Sequence, residues 1–333
     1  MNLRHIRHAF FTLTLLIAAA LWPKGMILAN EVHESPKVVV SIPPFHALVA
    51  GVMEGVGSPT LLVKTGASPH DYSLRPSDVK QLFAADIIFW GGPELETFLI
   101  KPLQNIKSST SPSSLIRQVP LVESPGLLLL PIRSSPAFEP HNHTHEAHEH
   151  KQKHEHEHLA HTDMHFWLDP HNAKLLVDEI VRRLSIVDPT HAKIYQQNGN
   201  KEKIELDKLD LDIQNKLKRV KKIPYIVFHD AYQYFEHRYG LNGVGAITLN
   251  PEIPPSSKRL KTIQETIQKT NAHCVFSEPQ FRPKLVESLV KGTSVKIGEL
   301  DPLGKENSEG GQGYIKLLEG LSNALSDCLS NHQ

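Results

Sequence analysis

A stretch of about 30 residues between Pro189 and Pro224 contains no strong helix breaker except Gly199. Asp188 offers an N-cap at its start, and the following proline would stand in the first turn, where proline is tolerated. A helix of this length spans roughly 45 Å. We therefore predict a stiff linking helix over residues 188–222, which separates an earlier from a later part of the chain.

Both of these parts alternate short apolar runs with helical patterns. Before the linking helix, strands are predicted at 37–42, 61–64 and 86–90, with helices at 45–56, 75–83 and 170–186 and one ending near Leu103. After it, strands are predicted at 225–228, 244–249, 274–277 and 294–297, with helices at 232–239, 257–270, 282–291 and 313–330. Alternation of this kind is typical of parallel sheets covered by helices.

The predicted fold class is therefore α/β, with two doubly wound lobes joined by one long rigid helix. The first lobe takes residues 30–187 and the second takes residues 223–333. Folds of this class bind ligands in the cleft outside the carboxyl ends of their parallel strands. We expect the functional site in the cleft between the lobes.

The N-terminus has the features of a secretory signal peptide over residues 1–29. Arg4 and Arg7 precede an apolar run from 9 to 22, and Ala29 closes a plausible cleavage site. The run is too short for a membrane span and no stop-transfer pattern follows. Because no cysteine near its end could carry a lipid, we expect a periplasmic protein without a membrane anchor.

Charge and cysteine content narrow the classes further. Lys and Arg together number 36, as do Asp and Glu, so there is no basic field to attract nucleic acid. We expect no nucleic-acid partner and a monomeric protein. Cys274 and Cys328 are the two cysteines of the chain. In an exported protein such a pair suggests one disulfide, with two buried thiols as the alternative.

A histidine-rich stretch lies between the predicted strands of the first lobe and its last helix. Its nine histidines are His141, His143, His145, His148, His150, His154, His156, His158 and His161. Imidazole is the commonest protein ligand for zinc, and a run this polar cannot build a core. We interpret residues 136–162 as a solvated loop with auxiliary, low-affinity metal sites.

Three isolated histidines stand where the cleft rule predicts a site. His70 and His229 each follow a predicted strand, and His165 lies at the edge of the histidine-rich loop. A single histidine in such a place is more often a structural hydrogen-bonder. Three of them in a chain with a histidine-rich loop favour a metal site, and three neutral imidazoles with a carboxylate or water favour zinc.

Carboxylates near these histidines extend the prediction. Asp301, after the last strand, is a candidate fourth ligand, although a turn aspartate before Pro302 explains it nearly as well. Metal-bound imidazoles commonly donate their second nitrogen to a carboxylate. The residues that could take this part, or cap a helix instead, are Asp71, Asp169 and Asp230.

Five motifs, in this order, resemble the zinc-specific solute-binding proteins of bacterial ABC importers, the ZnuA type: GASPHDYSLRPSDVKQL, MHFWLDP, VFHDAYQYFE, CVFSEPQF and LDPLG. The resemblance covers nearly the whole chain after residue 29. It implies two α/β lobes bridged by a rigid helix, with zinc held by His70, His165 and His229. The cysteine pair matches a disulfide of Gram-negative members. Some members use a Glu directly before the first histidine as an alternative ligand; here Pro69 stands there, which leaves Asp301 or a water.

The leading hypothesis is therefore a periplasmic receptor that captures Zn²⁺ and delivers it to a zinc ABC permease in the inner membrane. The protein would not be an enzyme. One alternative is a periplasmic metal buffer or chaperone built on the histidine-rich loop. The other is a metal-dependent hydrolase with Glu278 or Asp230 as base, although no HExxH motif is present.

Overall fold

The computed structural model describes residues 35–109, 117–134, 137–138, 161–281, 284–304 and 311–330. The strands are β1 (Val38–Val40), β2 (Thr60–Leu61), β3 (Ile87–Trp90), β4 (Gln118–Pro120), β5 (Tyr225–His229), β6 (Gly243–Thr248), β7 (Cys274–Ser277) and β8 (Lys296–Glu299). The helices are α1 (Pro43–Val52), α2 (Pro76–Ala84), α3 (Thr97–Ser109), α4 (Pro170–Val187), α5 (Ala192–Leu217), α6 (Gln233–Tyr239), α7 (Ser257–Thr270), α8 (Lys284–Val290) and α9 (Gln312–Ser330). The predicted signal peptide, residues 1–29, lies outside the described residues.

The strands form two parallel sheets of four strands each, in the orders β2-β1-β3-β4 and β6-β5-β7-β8. Each sheet therefore has its first strand between the second and the third. The central strands β3, β5 and β7 are buried along their whole length, as expected where helices cover both faces of a parallel sheet. The predicted α/β class with two doubly wound lobes is confirmed.

The long linking helix is α5, with 26 residues. A 3-10 turn, Pro189–His191, precedes it, and Asp188 caps that turn by accepting a hydrogen bond from the backbone of His191. The helix is shorter than predicted because the chain leaves it after Leu217 and approaches β5 through turns. Gly199 is tolerated because a Cβ there would lie 2.5 Å from Val181 of α4, so glycine lets the two helices approach closely.

The two lobes share one hydrophobic core. A single cluster of buried side chains runs from Val38 of β1 through Tyr195 of α5 to Leu329 of α9. Helices α1, α5 and α9 pack on one another, and α1 also contacts β1 of the first sheet while α9 contacts β8 of the second. Large apolar interfaces of this kind resist hinge motion between lobes. The domain limits 30–187, 188–222 and 223–333 stay predictions.

Two details differ from the sequence-based expectation. Strand β4 was not predicted, because three residues ending in proline carry little strand signal, yet Gln118 is buried and donates to Leu103 O at 2.9 Å. Phe138 lies inside the predicted solvated loop but is buried.

The predicted disulfide is confirmed, and it joins Cys274 of β7 to Cys328 of α9. None of the described helices has the length and hydropathy needed to cross a membrane.

Candidate metal centre

The three isolated histidines come from three separate places in the chain. His70 lies in the loop between β2 and α2, and His229 is the last residue of β5. His165 directly precedes the 3-10 turn Phe166–Leu168. Backbone turns and the carboxyl end of a buried strand thus carry side chains from both lobes to one point in the cleft.

The rings of these histidines lie in mutual contact. Their centroids are 5.6 Å apart for His70 and His165, 5.3 Å for His70 and His229, and 4.8 Å for His165 and His229. One nitrogen from each ring lies within 4.8 Å of the other two. In a tetrahedral zinc site the ligand nitrogens are about 3.3 Å apart, so small side-chain rotations would bring all three onto one ion.

His229 is the most firmly held of the three. It is 3% exposed, and its Nδ1 lies 3.2 and 3.3 Å from the two carboxylate oxygens of Glu278. Its Nε2 is buried and has no hydrogen-bond partner. Burial alone lowers the pKa of His229, but the charge and hydrogen bond of Glu278 outweigh burial and raise that pKa above its usual value. A buried ring nitrogen left without a partner and aimed at two other imidazoles has the environment of a metal ligand.

His165 has its own orienting carboxylate. Asp163 Oδ1 lies 2.7 Å from the Nδ1 of His165 and also accepts that residue's backbone amide at 3.0 Å. The side chain and main chain are therefore fixed by one atom two residues earlier in the chain. With Nδ1 occupied in this way, Nε2 is the ring nitrogen left to bind a metal ion.

His70 is held differently, in an irregular loop and only half-buried. Its backbone amide donates to Ser68 Oγ at 3.2 Å. Among the described residues, no carboxylate forms a hydrogen bond with its ring. Desolvation and the nearby rings of His229 and His165 lower the pKa of His70 well below its usual value, so the neutral, metal-binding form dominates at neutral pH.

The aspartates near the histidines were expected either to orient a ring or to cap a helix, and their contacts separate these two roles. Asp169 caps α4 by accepting from the backbone of His171, and Asp71 is exposed. Asp230 forms an ion pair with Arg133. The prediction used nearness in sequence, whereas the orienting residue Glu278 reaches His229 because β7 lies beside β5 and both strands end at the same edge of the sheet.

Asp301 lies outside the group of three ligand nitrogens. Its Oδ1 accepts from Gln280 Nε2 at 2.7 Å and from the backbone of Leu303 at 3.0 Å. These bonds are those of a turn aspartate next to a proline, the alternative that the sequence also allows. Its role as a fourth ligand stays a prediction.

The histidines line a small cavity between the lobes. Its volume is about 10 Å³, with Ser68 and Pro69 on the first-lobe side and Pro251 and Gln280 on the second. One water molecule needs about that much space. The cavity therefore has room for a single ion.

One of the nine histidines of the predicted histidine-rich loop lies within the described residues. His161 is exposed, and the other eight histidines of the run lie outside the described residues. Their predicted role as auxiliary metal sites stays a prediction. Within the described ranges, His70, His165 and His229 form the one group of three or more ligand-type residues close enough to hold an ion.

Comparison with known proteins gives matches along nearly the whole chain. The family model for ZnuA, zinc-uptake complex component A, periplasmic, matches residues 38–328. The chain is 44% identical to the high-affinity zinc uptake system protein ZnuA of Brucella suis biovar 1 (strain 1330), over 95% of this chain and 98% of that relative.

Solved structures share the fold. The crystal structure of a zinc-bound ZnuA deletion mutant superposes with a TM-score of 0.71 at 21% identity, covering 90% of this chain and all of the other. The periplasmic zinc-binding protein TroA from Treponema pallidum superposes with a TM-score of 0.70 at 22% identity, covering 89% and 99%. Both matches extend over the two lobes and the linking helix.

Proposed function

The chain belongs to the ZnuA family of periplasmic zinc-uptake components, and we propose that it captures Zn²⁺ between His70, His165 and His229. Members of this family are solute-binding proteins of metal importers and not enzymes. The observation that carries the residue assignment is the buried, unpartnered Nε2 of His229, which faces two further imidazoles. A metal ion would give that atom the partner it lacks.

The chemistry of the donor set suits zinc. Three neutral imidazoles are a recurrent zinc ligand set, and a water or Asp301 would complete a tetrahedron. Asp163 and Glu278 each contact the far nitrogen of a ligand imidazole. Their two negative charges offset the two positive charges of the ion, and they make the imidazoles more basic donors.

The second part of the proposed function is the delivery of Zn²⁺. We infer that zinc passes to an ABC permease for zinc in the inner membrane, with this chain secreted through its signal peptide and acting as an unanchored monomer. Because the lobes share one core, release would depend on local movement rather than on hinge opening. Among the described residues, the ring of His70 has no hydrogen-bonded carboxylate, whereas those of His165 and His229 each have one, and its loop is half-buried. We therefore place the movement in the loop of His70.

One deletion tests this proposal against a metal buffer built on the histidine-rich loop. Removing residues 141–158 should leave one tight zinc site per chain and abolish weaker ones, measured by calorimetry in competition with a chelator. The same deletion combined with His229→Ala should lose the tight site. Loss of all tight binding in the simple deletion would overturn the proposal.

A further inference from the structure

Two chain segments run side by side at the base of the predicted histidine-rich loop, and we call residues 128–133 and 161–163 together the strap. The backbone bonds that join them, both 2.8 Å long, run from Asp163 N to Leu130 O and from Ile132 N to His161 O. The first segment leaves the first lobe, where Leu128 exchanges hydrogen bonds with Asn172 of α4. The strap therefore begins on the first lobe.

The strap ends on the second lobe, where Arg133 is the main contact. Its guanidinium pairs with both carboxylate oxygens of Asp230 and, through Nη1, with Glu236 Oε2 at 2.5 Å. Its Cζ also lies 3.8 Å from the ring centre of Phe138. Asp230 and Glu236 are only 8% and 6% exposed, so the single positive charge of Arg133 is shared between two buried carboxylates. Buried carboxylates without a countercharge are strongly unfavourable.

Tyr234 of α6 fastens both segments of the strap to the second lobe. Its hydroxyl accepts from Leu130 N at 2.9 Å and donates to Asp163 O at 2.6 Å. The tyrosine is fully buried, so these bonds are shielded from water. One side chain of the second lobe thus contacts the outgoing segment and the returning segment together.

The contacts of Arg133 and of Tyr234 each involve a residue that adjoins or orients a proposed zinc ligand. Asp230, which Arg133 binds, is the residue after His229. Asp163, which Tyr234 binds, orients His165 through its side chain. The two ligands stand on different segments, and the strap is a continuous chain of contacts between them. A bidentate, planar guanidinium fixes such geometry better than an ammonium can.

From this geometry we propose that Arg133 is a positioning residue for zinc: by tying the strap to Asp230 and Glu236, it holds His165 at binding distance from His229. The inference rests on the zinc-capture function proposed above. Without Arg133 the two imidazoles would still be present, but their separation would fluctuate. The expected effect is on the zinc dissociation rate rather than on the number of sites.

The test compares zinc release from Arg133→Gln, Arg133→Lys and wild-type chains, by stopped-flow transfer of Zn²⁺ to a chromophoric chelator. Release from Arg133→Gln should be about tenfold faster, with Arg133→Lys in between because lysine cannot bridge both carboxylates. Arg183→Gln is the matched control, since Arg183 pairs with Glu179 inside α4 alone. Its release rate should equal that of the wild type.

Further measurements separate positioning from mere folding. Hydrogen exchange at the Ile132 and Asp163 amides should become faster in Arg133→Gln. If these amides exchange faster while zinc release stays at the wild-type rate, the proposal is overturned. Should Arg133→Gln fail to fold, Tyr234→Phe decides instead: it removes the hydroxyl shared by both segments, and unchanged release would again overturn the proposal. Absence of tight zinc binding in the wild type would instead refute the proposed function.

Discussion

The two lobes have the same strand order, yet they present their zinc ligands in different ways. In the second lobe, His229 ends the first strand of the sheet and is buried against Glu278. In the first lobe, His70 lies in the loop after the second strand and is half-buried. A rigid, preoriented ligand thus faces a ligand on an adaptable loop. His165 of the first lobe is likewise buried and held by Asp163. The difference therefore suggests that His165 and His229 set the geometry of the site and that the loop of His70 admits and releases the ion.

A buried glutamate follows the third strand in both lobes and makes the difference sharper. In the second lobe it is Glu278, which contacts His229. In the first lobe it is Glu96, whose Oε2 accepts the backbone amides of Gly91 at 2.6 Å and Gly92 at 3.1 Å. The same topology places a buried glutamate after the third strand of each lobe. Of these two glutamates, Glu278 contacts a histidine ligand and Glu96 binds backbone amides.

The largest expected effect separates the two ligands directly. His229→Ala should weaken tight zinc binding by more than the roughly hundredfold cost of losing an orienting partner, because it removes a ligand whose position is fixed in advance. His70→Ala should cost less, since a water can enter its open loop. Calorimetry with chelator competition measures both, and a larger loss for His70→Ala would reverse the comparison.

Glu278→Gln should weaken zinc binding by roughly ten- to hundredfold, because a neutral amide orients His229 but makes it a poorer donor. The matched control is Glu299→Gln, which changes an exposed glutamate on β8 of the same sheet. Chelator competition at pH 7.5 should show no change for the control. Equal affinities for Glu278→Gln and wild type would show that Glu278 does not support zinc binding.

The pH dependence of binding should follow His229. Zinc requires the neutral imidazole, and the pKa of His229 is raised, so proton competition should begin above pH 6.5 and grow as the pH falls. In Glu278→Gln the decline should move to lower pH, because the charge that raises this pKa is gone. Zinc affinity measured from pH 8 to pH 4.5 checks this, and a flat profile would contradict a histidine site.

Glu96→Gln should have the smallest effect on zinc, with affinity within about twofold of wild type, but it should change stability. Burial raises the pKa of Glu96 from its usual 4.5 to about 7. Between these values the unfolded chain ionises while the folded chain keeps the proton, so the free energy of unfolding falls as pH rises from 4.5 to 7. The loss is at most about 3 kcal/mol.

Urea unfolding at several pH values measures this effect. The wild type should lose stability across the window from pH 4.5 to 7, and Glu96→Gln should lack that part of the slope. If Glu96→Gln instead weakened zinc binding as strongly as Glu278→Gln, the proposed difference between the two buried glutamates would be wrong.

Sequence patterns predicted the fold well because its main signals are local. The β-branched runs of β1, β3 and β5 and the breaker-free stretch of α5 identified the strands and the linking helix. Strand β4 was missed because so short a strand depends on its neighbour β3 for pairing. The end of α5 was placed five residues too late, since Pro224 limits a helix without fixing where it stops.

The candidate site could be predicted only in part. Strand-to-loop positions predicted His70, His165 and His229 as one group, and the structure brings them together. The sequence left the nearby aspartates as orienting residues or helix caps; in the structure Asp169 caps α4 and Asp230 pairs with Arg133. Asp163 has a local signal, as a short aspartate turn before His165. Glu278 lies beside His229 only because β5 pairs with β7, and a sequence pattern does not contain that pairing.

The most direct test of the central claim is a crystal structure of the zinc-bound chain, with anomalous scattering recorded at the zinc edge. One strong peak is expected about 2.0–2.1 Å from a ring nitrogen of each of His70, His165 and His229. The Nδ1 atoms of His165 and His229 should stay on Asp163 and Glu278. A fully occupied zinc ion bound elsewhere, with these three imidazoles free of metal, would contradict this claim.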